Sequence, residues 1–519
     1  MKPIRIIAAL LASASASSPL IAQSPVRLVV HITVDQLRPD YLVRWEHEFT
    51  GGLARLLREG VFYTAGEQDH ASTETAPGHA SLLSGRWPYR TGITANDRGV
   101  PDPLTRIVEV TQGGYQTAGA SPRNFQGTTL HDWMRAADPD TRALSVSYKD
   151  RGAILPVGRA KVPVYWYSDG KFSTSSYYAD SLPGWLRRWN GRDFITPLLG
   201  HAWPLMHPID WYPEPDFRPA ERGGRDNTFP HVMPTERDAA IRNIQYFPVF
   251  DSLTLDVALE GATALGLGRR EGVDFLAVSL SITDKIGHRY GPGSLELHDQ
   301  ILHLDHYLGW FLDSLDAAIG LEHVALSLSA DHGATDYPDS TAGRLRLTTE
   351  ARELNAWALE RWGIELGAIE ERGLISADVS ALRARGVDTD SLAAALATRV
   401  RARPGIRKVY TESTLRVDGS HDADMWRRLI PPGHDWLIAA SVMPGWLITS
   451  STTDATHGST NLLDVRVPII FRVPGVAAAR IDRPVGVVDI GPTLAGVIGI
   501  VPTETLDGGP LHEVVETRR

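Results

Sequence analysis

The chain of 519 residues contains no cysteine and carries a formal net charge of −10, with 52 Lys and Arg set against 62 Asp and Glu. Disulfides and thiolate zinc sites are therefore excluded, so the core and any metals must supply stability, which a chain of this length can do. The acidic balance disfavours nonspecific nucleic-acid binding and requires any attraction for phosphate to be local.

Lys2 and Arg5, the apolar run 6–12 and the small residues through Ala16 form a signal-peptide pattern, assigned to 1–23. Cleavage fits after Ala16, Ala22 or Gln23. The run is too short for a permanent membrane anchor, so a periplasmic or secreted protein is expected. Residues 29–34 read as a buried strand that ends at Asp35. Thr75 opens a predicted helix in which Pro77 suits the first turn, Ala80, Leu82 and Leu83 favour helix, and the leading backbone amides favour an anion. Taken alone, Thr75 reads as an N-cap. Residues 143–147 read as a second strand, after which Lys149 and Arg151 alternate and should project from one side of an extended segment. A planar guanidinium fork and an ammonium point charge bind a tetrahedral dianion in complementary ways.

A stretch rich in aromatics and proline follows, with Tyr165, Trp166, Tyr167, Tyr177, Tyr178, Trp185, Trp189, Trp203 and Trp211. Most such rings pack, although some can wall a substrate site. Strand patterns resume at 275–282, with Asp284 and His288 just beyond, and at 324–328, with Asp331 and His332 just beyond. Between them Leu297, Ile301, Leu304, Leu308 and Phe311 recur at helical spacing. His298, Asp299, His303, Asp305 and His306 are therefore assigned to that helix's solvated side and left out of the site. His70 and His79 are read as packing or supporting hydrogen bonds. Helical segments at 349–362 and 390–401 lie in a second insertion, and Arg399, Arg401 and Arg403 read as a solvated helix end. His457, a strand at 467–471 and a helix at 487–495 close the chain. The reading is an α/β core in three parts, 24–151, 251–335 and 451–519, interrupted by an aromatic-rich insertion at 152–250 and a cap at 336–450.

In an open α/β sheet, ligands bind at the carboxyl ends of parallel strands, so Asp35, Asp284 and Asp331 can converge there. Mixed carboxylate and imidazole donors suit zinc better than magnesium. Three Asp, with His288, His332 and His457, could hold two zinc ions around Thr75, itself a possible ligand. Each residue alone reads as a cap, turn or loop residue; the set carries the expectation.

Val34-Asp35-Gln36-Leu37-Arg38, Thr75-Ala76-Pro77-Gly78-His79, Asn96-Asp97, Lys149-Asp150-Arg151-Gly152, Thr283-Asp284-Lys285-Ile286-Gly287-His288, Ala330-Asp331-His332-Gly333 and Thr456-His457-Gly458 resemble, in order, the motif series of the alkaline phosphatase superfamily. Within it the chain resembles the bacterial phosphate-irrepressible alkaline phosphatases that use a threonine nucleophile. The resemblance implies an alkaline-phosphatase-like central, mostly parallel sheet flanked by helices, and two Zn2+ per chain. It assigns Asp284, His288 and His457 to one zinc, and Asp35, Asp331, His332 and Thr75 to the other. Asn96, Lys149 and Arg151 would grip the phosphoryl oxygens of small phosphate monoesters, with a phosphothreonine intermediate at Thr75. A monomer is expected.

Three alternatives stand beside this expectation. A phosphodiesterase or nucleotide pyrophosphatase of the same superfamily would share the metals and threonine but need room for a second ester group. A sulfatase would need a Cys or Ser converted to formylglycine, and neither stands at Thr75. A catalytically silent metal- or phosphate-binding protein would keep the scaffold alone.

Overall fold

The computed structural model describes residues 26–110, 114, 117–338 and 342–516; the signal-peptide assignment lies outside them. Seven strands come first in the chain: β1 (Leu28–Val34), β2 (Val61–Glu67), β3 (Ala143–Ser147), β4 (Val164–Ser168), β5 (Lys171–Ser173), β6 (Asp274–Leu280) and β7 (Val324–Ser329). The cap region adds β8 (Arg344–Leu345), β9 (Ile369–Glu371), β10 (Leu374–Ser376), β11 (Ile406–Tyr410), β12 (Trp436–Val442) and β13 (Leu447–Ile448). The chain then returns with β14 (Arg466–Arg472), β15 (Ala479–Ile481) and β16 (Val485–Gly486).

The central sheet runs β15-β2-β14-β7-β1-β6-β3-β4-β5, with β16 also on β2. β7, β1, β6, β3 and β4 are parallel neighbours, while β14 runs antiparallel to both β7 and β2, and β5 antiparallel to β4. Every residue of β1, β3, β6 and β7 is buried, as expected of strands covered on both faces. The α/β fold with a mostly parallel central sheet flanked by helices is thus the one expected from the sequence.

The aromatic-rich stretch contributes β4 and β5 to this sheet, and Tyr165, Trp166, Tyr167, Trp185, Trp189 and Trp203 pack into the same core as β1 and β6. The cap holds a separate antiparallel sheet, β11-β12-β10-β9, over its own apolar cluster around Leu354, Leu382 and Ile438, with β13 and β8 as a small parallel pair.

The helix Leu295–Ile319 corrects one expectation. His298, Asp299, His303 and Asp305 are buried, and only His306 of that set is exposed. The aromatic stretch covers the face expected to be solvated and satisfies its polar groups. Trp203 Nε1 donates to Asp299 at 2.6 Å, Tyr212 donates to the same carboxylate, and His298 lies between Glu214 and Glu48 at 2.8 and 2.7 Å. Asp305 accepts the backbone amides of Thr50, Gly51, Leu53 and Ala54 and so caps the helix Gly52–Glu59. These residues hold the scaffold together away from the site.

Candidate active site

β7, β1, β6 and β3 are neighbours, so the residues just past their carboxyl ends meet at one edge. Asp331, Asp35, Asp284 and Lys149 occupy those positions. β14 is antiparallel, which brings its amino end, and the loop carrying His457 before it, to the same edge. Hydrogen bonds pin that loop: Thr335 N donates to Thr456 O at 3.1 Å, Gly333 N to Asp464 O at 2.7 Å, and Asp464 accepts from Ser459 and Thr335.

Thr75 is the first residue of the helix Thr75–Ser84, all ten residues of which are buried. Glu74 precedes it without a side-chain cap, and with Pro77 lacking an N–H and Gly78 N bonded to Glu74 O at 3.1 Å, the amide of Thr75 is the first-turn donor left to an anion. Gly78 lets this helix approach: a Cβ there would lie 2.1 Å from the carbonyl oxygen of Asp331. Asn96 Oδ1 accepts the Ala76 amide at 2.9 Å, and its Nδ2 has no partner among the described residues.

Lys149 Nζ lies 2.6 Å from Asp35 Oδ2, 2.6 Å from Asp284 Oδ2 and 3.5 Å from Thr75 Oγ1. The extended run expected from Lys149 to Arg151 is not formed. Lys149 is extended, but the chain turns at once into the helix Asp150–Ile154, so the strict alternation of an extended segment is lost. Gly152 permits the turn, since a Cβ would meet Ser147 Oγ at 2.6 Å and Ser279 Oγ at 2.7 Å. Arg151 keeps only a loose 3.6 Å ion pair with Asp150, and its buried Nε has no hydrogen-bond partner. With Lys149, Trp166, Tyr167 and Lys285 it lines a cavity of about 260 Å³.

The three imidazoles share one orientation. Nδ1 of His288 faces Ala455 O at 2.7 Å, Nδ1 of His332 faces Gly333 O at 2.9 Å, and Nδ1 of His457 faces Thr73 O at 2.6 Å. A carbonyl only accepts, so each Nδ1 carries the proton and each Nε2 presents a lone pair. Those lone pairs point at carboxylate oxygens: His288 Nε2 is 3.1 Å and His457 Nε2 3.8 Å from Asp284 Oδ1, and His332 Nε2 is 3.5 Å from Asp35 and 3.7 Å from Asp331. Lone pairs facing lone pairs in a buried pocket call for a cation between them. Both Asp35 oxygens, Asp331 Oδ2 and His332 Nε2 lack an aligned hydrogen bond, which fits the same demand.

Two compact donor groups result, Asp35 with Asp331 and His332, and Asp284 with His332 and His457. His332 belongs to both, and His288 sits beside Asp284 just outside the tight set. Burial, together with Asp284 and Asp331, pushes the Asp35 carboxyl well above the usual range, because one ammonium does not balance three buried carboxylates. Burial also opposes ionisation of Asp284, but Lys149, His288 and His457 outweigh it and hold that group well below the usual range. Burial and the neighbouring imidazoles push His457 well down, so it is neutral and available as a ligand.

Several supporting residues have no clear signal in the sequence. Gln36, at φ 67°, donates its amide N–H to Asp331 Oδ1 at 3.1 Å and its side-chain NH2 to Asp284 Oδ1 at 2.9 Å, bridging the two donor groups. His79 approaches Asp331 Oδ2 at 3.2 Å and Ser279 Oγ at 2.9 Å, the supporting role read for it from sequence. Arg372 reaches from the cap to Glu74 Oε1 at 2.9 Å, while Glu74 Oε2 accepts the Asn96 amide at 3.0 Å.

A mostly parallel sheet with two carboxylate and imidazole groups beside a helix-opening hydroxyl defines a metal-dependent phosphoryl-transfer hydrolase. The chain belongs to the type I phosphodiesterase/nucleotide pyrophosphatase family, whose family model matches residues 29–460, within the alkaline phosphatase superfamily. It is 28% identical over 517 residues to the alkaline phosphatase PafA of Elizabethkingia meningoseptica, covering 94% of each chain. It is 31% identical over 535 residues to the alkaline phosphatase PhoK of a Sphingomonas species, covering 94% of this chain and 91% of that one. The crystal structure of wild-type alkaline phosphatase PafA superposes with a TM-score of 0.87 at 27% identity, covering 94% of this chain and 99% of that one. The chain is a phosphoric ester hydrolase with a metal cofactor. No helix among the described residues is long and apolar enough to cross a membrane.

Proposed function

We propose that this protein is a secreted, zinc-dependent alkaline phosphatase that hydrolyses phosphate monoesters through a phosphothreonine at Thr75. The observation that carries the reading is the meeting of Thr75 Oγ1, Lys149 Nζ and two donor groups that share His332. Asp35, Asp331 and His332 would hold one zinc next to Thr75, and Asp284, His288 and His457 the other. When bound, the zinc ions supply Lewis-acid charge beside the attacking and leaving oxygens.

Thr75 Oγ1, having lost its proton to solvent, forms a bond to phosphorus while the opposite ester oxygen leaves with its bonding pair and takes up a proton from solvent to become the alcohol. Water then breaks the Thr75 Oγ1–P bond and releases inorganic phosphate. The Asn96 Nδ2 group, oriented by the Ala76 amide, the Thr75 amide and Arg151 stabilise the non-bridging oxygens. Lys149 supplies the positive charge nearest the threonine. A diesterase is the second reading, favoured by the family's description, and the Lys149 contacts with Asp35 and Asp284 are equally compatible with it.

Elemental analysis is expected to find about two zinc ions per chain in fully active enzyme. Thr75→Ala should lose nearly all turnover of an aryl phosphate with zinc still bound, whereas Thr75→Ser keeps some because the hydroxyl survives. Normal turnover by Thr75→Ala would mean direct attack by water, and full activity with one metal would remove the two-zinc assignment.

A further inference from the structure

A second cavity, of about 430 Å³, opens on the other side of His288. Arg222, Arg225, Arg289, Lys285 and Tyr246 line it, and Lys285 also lines the smaller cavity that holds Lys149 and Arg151. Lys285 is thus a wall shared by the two spaces, and His288 joins the larger one to the candidate metal centre.

The larger cavity carries an excess of positive charge. Arg222 and Arg289 share one carboxylate, Asp226, whose side chain is 56% exposed and so weakly screens them. Arg225 has no ion-pair partner among the described residues, and neither does Lys285. Asp226 is not on the lining, and the acid that is, Asp454, is exposed and accepts from Ser451 Oγ at 2.8 Å. Arg289 is fixed with its guanidinium 4.2 Å from the Tyr246 ring centroid, and its buried Nε lacks a hydrogen-bond partner. A preset guanidinium with an unused donor favours a tetrahedral or planar anion over water.

In-line displacement fixes what enters this space. The helix that Thr75 opens packs on Asp331 through Gly78 and His79, so with Thr75 as the proposed nucleophile the leaving oxygen departs on the opposite side, toward Asp284 and His288. His288 is on the cavity wall, and the alcohol beyond that oxygen extends into it.

We propose that this cavity is a leaving-group subsite that selects phosphate monoesters whose alcohol carries a second phosphate, with Arg222, Arg225 and Arg289 as its anion-binding groups. The inference rests on the monoesterase reading and adds a substrate class to it. Monoesters with neutral alcohols remain substrates but lack the second anchor.

The test compares α,ω-alkanediol monophosphates with the matching bisphosphates over a series of chain lengths, reading the ratio of kcat/KM after the statistical factor for two equivalent ends. At low ionic strength the ratio is expected to reach roughly tenfold at the length that spans the two anion sites, and to fall as salt screens the cations, Arg225 above all. In Arg222→Ala/Arg225→Ala the ratio should collapse at low salt too; the single variant Arg225→Ala, at an exposed position, gives the same readout if the double variant misfolds. A ratio near one at every length, or an advantage unchanged in the variants, overturns the subsite while leaving the monoesterase reading intact. Failure to hydrolyse any of the monophosphates would instead overturn the monoesterase reading and the subsite with it.

Discussion

The two donor groups are built from different materials. Asp35, Asp331 and His332 follow β1 and β7, neighbouring strands in unbroken parallel register from Leu28 opposite Val324 to Thr33 opposite Ser329, and all three side chains are fully buried. Asp284 and His288 ride on the helix Ile282–Tyr290, and His457 on a loop, with the His288 side chain 30% exposed. The inner group thus inherits the rigidity of the sheet centre, while the outer one depends on a helix start and a pinned loop. Geometry must be tightest where the nucleophile is held, and a leaving group needs an open door.

The sharpest way to break this contrast is to remove single donors. His332→Ala takes a ligand from the inner group and is expected to empty it and abolish turnover. His288→Ala should lose zinc from the outer group only, leaving about one zinc per chain, with activity partly recovered by added zinc. Elemental analysis after gel filtration, paired with an aryl phosphate assay across zinc concentrations, reads both outcomes. If His288→Ala released both metals, the inner group would not be independent.

The inner group was the more legible in the sequence, for a physical reason. A continuous apolar run that stops at an acid is the mark of a buried parallel strand, so Asp35 and Asp331 could be placed from local pattern alone. The outer group's His457 has no such frame; its loop is held by Asp464, Thr335 and Thr73, contacts made only in the fold. Tertiary contact also overrode local pattern at Arg151, where packing of Gly152 against Ser147 and Ser279 turns the chain into a helix. The helix Leu295–Ile319 misled for a similar reason: its polar stripe meets Trp203 and Tyr212 rather than water. Gln36 and Arg372, both at positive φ, act through conformations that periodicity does not register.

A smaller effect is expected from the cations at the boundary between the two groups. In the proposed monoesterase, Lys149 and Arg151 would serve the additional charged oxygen of a monoester, and each charge-assisted hydrogen bond is worth about 1.5 to 3 kcal/mol, so losing one should slow monoester hydrolysis by roughly 10 to 150-fold. Diester hydrolysis should suffer much less. Lys149→Ala is expected to cost more than Arg151→Ala, because Lys149 also neutralises Asp35 and Asp284, one carboxylate from each group. Equal losses on matched aryl phosphate monoesters and diesters would move the diesterase reading ahead.

The smallest effect should come from the cap, whose Arg372 reaches the residue before Thr75. Arg372 Nε holds Glu74 Oε1, Glu74 Oε2 holds the Asn96 amide, and Asn96 Oδ1 holds the Ala76 amide beside Thr75. These bonds fix the direction of the Asn96 Nδ2 group, so under the proposed role of Asn96 the Arg372 side chain would position the phosphoryl contact without touching substrate. Arg372→Ala is expected to lower kcat/KM about tenfold, the scale typical of a residue that orients a binding group. Glu74→Gln keeps the shape but weakens both contacts, and should cost a similar factor. Because the two act on one path, the double variant should cost little more than either alone, whereas independent structural damage would multiply. A multiplied loss, or a fall in melting temperature matching the loss of rate, would assign Arg372 to cap stability and leave the inner group supported by the sheet alone.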